Sequence, residues 1–260
     1  MSSLRLEPRR RLRFVPIWRR NFLVWKKLAV PSLVGNIAEP LITLVAFGFG
    51  VGSLIGQVQG VPYIQFLASG AICMSVMMAA SFEALYSAFS RMHVQKTWDA
   101  IRVTPTSLDD VLLGELTWAA SKAVFSGAAI LLVIVGLGIS RAWTLLLALP
   151  LLLLTGLVFS ALGLIVNAKA QGYDFFTYYF TLVLTPMTFL SGVYFPLSAL
   201  PGPLQGLAQA LPLHAAVELV RPLFFGRFDQ SWLLHLGVLV VDLGLAWWLA
   251  HTLTLRRFRA

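Results

Sequence analysis

Long apolar stretches recur along this chain and constrain its fold more than any other feature. Each is roughly 20 residues or more, the length of helix that crosses a ~30 Å hydrocarbon layer. The whole chain is 58% hydrophobic and 12% charged, with a mean hydropathy of +0.80. A water-soluble domain would carry about twice that charged fraction. The sequence therefore predicts an all-α integral membrane protein.

Six membrane spans are predicted between a basic N-terminal segment, residues 1–29, and a basic tail, residues 256–260. Prolines at 40 and 186 are expected to kink the first and fifth spans. Ser107, with Asp110 three residues later, resembles a capping box that begins the third span. Together the spans make up a transmembrane domain over 30–255, and they run from Val30 to Ile55, Pro62 to Ser87, Ser107 to Gly138, Ala142 to Ala168, Tyr173 to Tyr194 and Ser231 to Leu255.

The region before the last span differs from the rest of the chain. Residues 195–230 hold five prolines and two apolar pieces of roughly 10 to 14 residues, which are too short to cross a bilayer. Backbone that enters a membrane without crossing it must satisfy its own polar groups. The pattern predicts a re-entrant or interfacial helical hairpin at about 196–230.

The N-terminal segment is basic and amphipathic from Arg9 to Lys27. On a helix, Trp18 and Trp25 gather on one side while Arg19 and Arg20 gather on another. This pattern predicts an interface helix that lies along the membrane surface. The alternative is a flexible basic tail that only fixes the topology.

The distribution of basic residues predicts the orientation of the chain in the membrane. With six spans, 16 of the 20 Lys and Arg residues fall on the side of the two termini and three fall on the opposite side. Basic loops stay in the cytoplasm. Both termini are therefore expected to be cytoplasmic, and the net charge of +9 reflects topology and not binding to nucleic acid.

The polar loop over residues 90–108 is the strongest candidate for contact with a partner. It can form a short helix that ends at Thr104-Pro105, since the residue before proline disfavours helix. The chain contains no Gly-x-x-x-x-Gly-Lys-Ser/Thr phosphate loop, so any ATP would be bound by another chain. An ordinary amphipathic connector is the alternative interpretation. The predicted contact residues are Phe89, Arg91, Lys96, Trp98, Asp99, Ile101, Arg102 and Thr104.

Ionisable residues inside spans are functional candidates because their burial is costly. Glu115 and Lys122 share one helix face, and Lys122 is expected to snorkel or to pair with Asp242 or Glu83. Dense aromatic residues near 173–180 suggest an interfacial belt or, alternatively, a surface facing sugar or lipid. No metal is expected, since the four histidines lack metal-ligand spacing. The candidate substrate path comprises Glu39, Phe47, Phe176, Tyr179, Phe180, Lys122 and Asp242.

Two stretches of this loop and the third span carry a family resemblance. Residues 98–105, Trp-Asp-Ala-Ile-Arg-Val-Thr-Pro, and 111–115, Val-Leu-Leu-Gly-Glu, resemble the type-2 ABC exporter permeases. Residues 112–120, 172–176 and 185–196 look like the nodulation protein J branch of these permeases, as do 211–214 and 218–222. The sequence departs from the common pattern at Gln95-Lys96-Thr97, where many members carry Glu-Gly-Thr.

The resemblance implies six spans, an interface helix, a cytoplasmic coupling helix between the second and third spans, and an extracytoplasmic re-entrant hairpin. It further implies a transport subunit, not an enzyme, which pairs with a second copy of itself and with two ATPase subunits. ATP and Mg would bind to the ATPases, and this chain would hold no cofactor. The branch exports lipo-oligosaccharides or related glycolipids from the bacterial inner membrane.

Three other functions are compatible with parts of the sequence. An exporter of the same class could carry a drug or a polysaccharide. An ion-coupled secondary carrier would use Lys122, Glu83 and Asp242 as its working residues. An intramembrane enzyme acting on lipid-linked sugars would need an acid, base or metal cluster that the sequence does not show.

Overall fold

The computed structural model describes residues 13–227 and 231–259. The first 12 residues of the predicted N-terminal segment, residues 228–230 of the predicted hairpin and residue 260 of the tail lie outside the described residues. Within those ranges the chain is a bundle of helices with one two-stranded hairpin. The expected all-α class is confirmed.

Five helices of the described chain are long and apolar enough to cross a membrane. They are 27 to 32 residues long, and a helix of 27 residues spans about 40 Å. They match the first, second, third, fourth and sixth predicted spans. Their bounds are Ala29–Ile55, Tyr63–Val94, Leu108–Gly136, Trp143–Lys169 and Trp232–Arg259.

The fifth predicted span is helical but shorter than expected. It consists of α8 (Asp174–Tyr179), a π-helical stretch (Phe180–Leu184) and α9 (Thr185–Leu190). Since the run ends at Leu190, it reaches only about 25 Å at 1.5 Å per residue. Pro186 lies in the first turn of α9, where its missing N–H follows the widened π turn. A sixth crossing therefore stays a prediction.

The first span begins as α2 (Ala29–Thr43), which contains Pro40, and continues as a π-helical stretch over Leu44–Val51. The switch follows the proline, which cannot donate to the helical ladder. A short helix, α3 (Gly52–Ile55), leads into the antiparallel strands β1 (Gln57–Val58) and β2 (Val61–Pro62).

The centre of the bundle is formed by α4 (Tyr63–Phe82), α6 (Leu108–Gly136) and α7 (Ala148–Lys169). Small residues allow their backbones to approach closely: a Cβ built on Gly163 would lie 2.8 Å from the Cβ of Ala84. The first and last long helices lie at the periphery and expose many apolar side chains. Such exposure fits contact with lipid or another subunit.

One end of the bundle, called here the α5 end, carries α1 (Phe14–Lys26) and α5 (Thr97–Arg102). Arg13 ties the two segments together, since its Nη1 donates to the Pro105 carbonyl at 2.7 Å. The predicted capping box of α6 is confirmed: the Asp110 N–H donates to Ser107 Oγ, and the Ser107 N–H donates to Asp110 Oδ2.

The opposite end, called here the hairpin end, carries the proline-rich region. Its two helices are α10 (Gly202–Gln209) and α11 (Pro212–Val220), followed by a 3-10 turn over Arg221–Phe225. Nearly every residue of α11 is buried, and the helix contacts α4, α7 and α12 (Trp232–Arg259). The two short apolar pieces thus form helices inside the bundle, as predicted, while their depth in a bilayer stays a prediction.

Candidate functional site

Two carboxylates, Glu83 and Glu115, lie buried in the interior near the α5 end, with 3% and 2% of their surface exposed. Glu83 follows directly after α4, and Glu115 lies two turns into α6. Burial of a carboxylate is tolerated only when cations and hydrogen-bond donors compensate for the lost water. The two side chains therefore mark a site at which several elements must converge.

Arg91 connects these two carboxylates. Its Nη2 donates to Glu83 Oε1 at 2.9 Å and to Glu115 Oε2, and its Nε donates to both oxygens of Glu115 at 2.9 and 3.1 Å. Lys122 Nζ donates to Glu83 Oε2 at 2.8 Å. Of the two partners predicted for Lys122, the structure selects Glu83. Two anions and two cations thus balance each other.

Three uncharged donors complete the cluster, which we call the buried charge network. Trp118 Nε1 donates to Glu83 Oε1 at 2.8 Å, and Trp98 Nε1 donates to Glu115 Oε1 at 3.1 Å. Asn21 Nδ2 approaches Glu115 Oε2 at 3.4 Å. The network therefore joins α1, α5, α6 and the helix that continues α4.

Helical spacing explains how the sequence builds this site. Glu115, Trp118 and Lys122 are spaced i, i+3 and i+7, which places all three on one face of α6. The shared face of Glu115 and Lys122 was predicted, and the same spacing identifies Trp118, which sequence reasoning missed. Asn21 was also missed, although it lies on the α1 face that Trp18 and Trp25 define.

Aromatic rings attach α1 to the network. Trp18 and Trp25 pack edge-on against Trp118, with ring centroids 6.2 and 5.9 Å apart, and Trp25 stacks on Phe125 at 5.4 Å. Trp18 Nε1 also donates to Ser121 Oγ at 3.0 Å. The tryptophan side of α1 therefore faces the bundle.

The basic residues of α1 divide between two environments. Arg19 is exposed, whereas Arg20 turns inward, and its Nη1 donates to Asn21 Oδ1 at 3.0 Å. Burial lowers the pKa of Arg20, and the neighbouring charge of Arg91 acts in the same direction while Glu115 opposes it. Arg20 also lines a cavity of about 450 Å³ beside the network. The inward position of Arg20 corrects the prediction that it lies on the outer face with Arg19.

The predicted contact residues of the connecting loop separate into an outer and an inner set. The outer set is exposed and comprises Lys96, Asp99, Arg102 and Thr104. Phe89 and Trp98 are each 1% exposed, Arg91 belongs to the network, and Ile101 is half-buried against the core. Trp98 is therefore not the exposed docking aromatic that the sequence suggested, because its ring and its N–H are used inside the subunit.

Lys96, which precedes α5, has the left-handed backbone conformation, with φ of 52°. This conformation favours glycine and is costly for residues with a Cβ. Many permeases of the type that this sequence resembles carry glycine here. The turn that starts α5 is therefore retained, although its residue is not the one that the backbone prefers.

A second candidate region is a groove of about 350 Å³ between the first span, α4 and Phe180. Glu39 and Asn36 line it from α2, and Phe82 and Met78 line it from α4. Glu39 is exposed, and Asn36 Nδ2 donates to Ser126 Oγ at 2.9 Å. The groove thus combines aromatic and aliphatic walls with one free carboxylate.

The remaining predicted path residues are not gathered in this groove. Phe176 is fully buried against Tyr86 and Phe89, and Tyr179 is also buried, so neither ring is available to a substrate within one subunit. Phe47 is exposed and contacts Tyr194 outside the groove. Lys122 belongs to the charge network. Asp242 lies on α12, and its Oδ2 is buried with no hydrogen-bond partner among the described residues.

Comparison with known proteins assigns the class. The profile of the ABC-2 type transporter family matches residues 13–225. The chain belongs to this family of membrane transport permeases and is a transport subunit, not an enzyme.

Several relatives are similar over nearly the whole chain. Nodulation protein J of Bradyrhizobium diazoefficiens is 47% identical over 225 residues, covering 86% of each chain. Nodulation protein J of Rhizobium leguminosarum bv. trifolii is 45% identical over 246 residues, covering 95% of this chain and 94% of the relative. The inner membrane transport permease YadH of Escherichia coli is 31% identical over 228 residues, covering 86% and 88%. The predicted resemblance to type-2 exporter permeases of the nodulation protein J type is confirmed.

Proposed function

We propose that this chain is the permease subunit of an ATP-driven exporter in which α5 is the coupling helix for a separate ATPase. The observation that carries the proposal is the division of α5 into two sides. Its outer side presents Asp99 and Arg102 to the surroundings, and its inner side donates through Trp98 to a carboxylate of α6. A push on the outer side would thus be passed directly to the buried charge network.

The network would transmit this push because it cannot be deformed at one point alone. Each carboxylate is shared by cations and donors from different elements, so moving α5 by itself would leave a buried charge without compensation. The less costly response is a joint movement of α1, α5 and the spans that carry Glu83 and Glu115. Such a discrete rearrangement of packed helices is a common switching mechanism in proteins.

Charge reversal at the outer side of α5 tests this role. Purified permease is reconstituted into liposomes with its ATPase, and export and ATP hydrolysis are measured together. Asp99→Lys and Arg102→Glu should lower export by about tenfold or more, since like charges at an interface weaken association. Arg141→Glu, an exposed reversal at the hairpin end, is the matched control. Wild-type export by both α5 variants would refute the docking role.

The cargo that we propose is a lipo-oligosaccharide or a related amphiphilic glycolipid. Support comes from the relatives named nodulation protein J and from the groove at Glu39, whose ring faces and carboxylate suit a sugar with a lipid chain. Deletion of the gene should abolish extracellular glycolipid, as measured by chromatography of culture supernatants. Unchanged glycolipid with lost export of a drug or a polysaccharide would redirect the assignment to those cargoes.

The proposed complex contains two copies of this permease and two ATPase subunits in the bacterial inner membrane, with both termini cytoplasmic. The relative named an inner membrane transport permease and the charge asymmetry of the loops support this arrangement. Cysteine labelling of residue 103 from one side of the membrane checks the orientation, because Val103 is 90% exposed. Labelling from the periplasm alone would overturn it.

An ion-coupled carrier is disfavoured by the pairing of its expected residues. Glu83 and Lys122 neutralise each other at 2.8 Å, and Asp242 is not in contact with them. A transported ion would have to compete with this ion pair and with Arg91. Uptake driven by an ion gradient in liposomes containing the permease alone would reverse this conclusion.

A further inference from the structure

The last turn of α12 meets the connector that contains α5, although the sequence gave it only a topological role. Phe258 stacks on Trp98, with ring centroids 6.0 Å apart and planes inclined by 18°. The guanidinium of Arg102 lies 5.0 Å from the centroid of the same ring. Phe258 therefore contacts α5 on both its buried and its exposed side.

The neighbouring Arg257 fixes this turn to a different helix. Its Nη1 donates to the carbonyls of Asn167 and Ala170 at 2.8 and 2.7 Å, and it lies 3.3 Å from the carbonyl of Ala168. These carbonyls end α7, where unpaired acceptors and the helix dipole favour a cation. Arg257 thus holds the end of α12 against the rigid centre of the bundle.

α5 has little means of holding its own position. It is six residues long, begins after a left-handed residue and has no side-chain cap at its N-terminus. A helix of this length is not stable without tertiary contacts. Its anchoring contacts are the hydrogen bond from Trp98 to Glu115 on one edge of the indole and the ring of Phe258 on its face.

We infer that Phe258, held in place by Arg257, is a positioning residue for ATP-driven transport: it braces Trp98 and so keeps α5 in register with the buried charge network. The inference rests on the proposed role of α5 as coupling helix. Loss of the ring would free one face of the indole, so that part of each ATPase movement would be absorbed by α5 itself. Stacked aromatic pairs and cation–π contacts have the directionality that such a brace requires.

The first experiment uses the permease alone and is therefore independent of any ATPase. A spin label is attached at Val103→Cys, which is 90% exposed at the end of α5, while the native Cys73 is fully buried. Phe258→Ala should increase the mobility of the label, and Phe258→Trp should leave it close to that of the parent. Arg256→Ala, an exposed change in the same turn, is the matched control. An unchanged spectrum in Phe258→Ala would overturn the brace.

The second experiment measures molecules exported per ATP hydrolysed by the reconstituted complex. Phe258→Ala should lower this ratio by about fivefold or more, the range of a typical coupling between two sites, while ATP hydrolysis continues. Phe258→Trp should restore it, whereas a purely structural role would reduce export and hydrolysis together. If Phe258→Ala does not purify as a monodisperse protein, Phe258→Leu, which keeps apolar bulk without the stacking, replaces it in both experiments.

The two experiments separate the inference from the function on which it rests. Increased label mobility in a permease that binds no ATPase would keep the brace and refute the exporter. Unchanged mobility in a permease that exports normally with its ATPase would refute the brace and keep the exporter.

Discussion

The molecule buries an arginine at each end, and the two are compensated differently. At the α5 end, Arg91 bridges two carboxylates, Glu83 and Glu115, that are themselves almost fully buried. At the hairpin end, Arg221 meets one carboxylate, Glu218, at 3.2 Å, and that side chain is 32% exposed. Removal of Arg91 would therefore leave two anions in the interior, whereas removal of Arg221 would leave one that water can reach.

The other partners of Arg221 are neutral and local. Its Nε donates to Ser69 Oγ at 3.0 Å, its Nη2 donates to the Gly192 carbonyl at 2.6 Å, and its guanidinium lies 3.8 Å from the centroid of Phe66. These contacts fasten the hairpin to α4. The comparison indicates that Arg91 links elements that move together, while Arg221 holds a region that stays fixed.

The largest effect is expected from Arg91→Met, which keeps the volume and removes the charge. It should destabilise the folded permease by about 3–5 kcal/mol, since the two buried carboxylates lose their shared cation. Unfolding by SDS in mixed micelles measures the change. Arg102→Met, whose ion pair with Asp99 is long and exposed, is the control and should have little effect. Equal stability of the two variants would remove the distinction between the arginines.

Arg221→Met should cost less, about 2–3 kcal/mol, because the lost contacts are hydrogen bonds of a charged donor and Glu218 retains access to water. In the reconstituted complex, the ratio of export to ATP hydrolysis should stay at the wild-type value. A lowered ratio in Arg221→Met would show that the hairpin end also participates in coupling.

A pair of glycines tests the packing at the two ends. A Cβ on Gly70 would lie 2.8 Å from the Val193 Cα, while a Cβ on Gly114 would lie 2.7 Å from Ile17 Cγ2 of α1. Gly70→Ala should therefore destabilise by about 2 kcal/mol and Gly114→Ala by about 1 kcal/mol, because backbone yields less than a surface helix. Gly35→Ala, with no atom within 4 Å, is the control.

Gly114→Ala should also displace α1 from α6, which is a sharper test than its effect on stability. A distance between spin labels on α1 and α6, measured by pulsed electron resonance, should lengthen, and Gly70→Ala should leave it unchanged. An unaltered distance would indicate that the contact between Ile17 and Gly114 can relax without movement of α1.

The smallest effect on stability is expected from Trp98→Phe. The ring remains to stack on Phe258, but the hydrogen bond to Glu115 is lost, at a cost of about 1 kcal/mol. Export per ATP should fall although the fold is kept. Trp143→Phe, at an indole that is 73% exposed, controls for the substitution itself. Normal coupling in Trp98→Phe would show that α5 communicates through packing and not through the carboxylate.

Sequence patterns predicted the features that depend on local chemistry. The apolar length of the long spans, the capping box at Ser107 and the short helix before Pro105 each follow from residues close together in the chain, and each is present in the structure. The fifth span was overestimated because hydropathy does not register the π-helical turns and the helix end at Leu190. The number of crossings therefore stays open at this one element.

Sequence patterns were weaker for the site, because a side chain's direction on a short helix is set by what it packs against. Trp98 looked exposed from its charged neighbours, yet it faces inward because Glu115 and Phe258 offer its N–H and its ring partners. Arg20 turned inward for a similar reason, while Arg19, one residue before it, stayed outside.

The sequence by itself determined the solvent of this protein, its helical class and its family, since long apolar runs and family motifs are properties of the chain alone. Only the tertiary structure decided which charges meet. Glu83, Arg91 and Glu115 lie up to 32 residues apart, and α12 reaches α5 from more than 150 residues away. Their pairing is decided by helix packing because a buried carboxylate accepts whichever cation the assembled helices bring within reach.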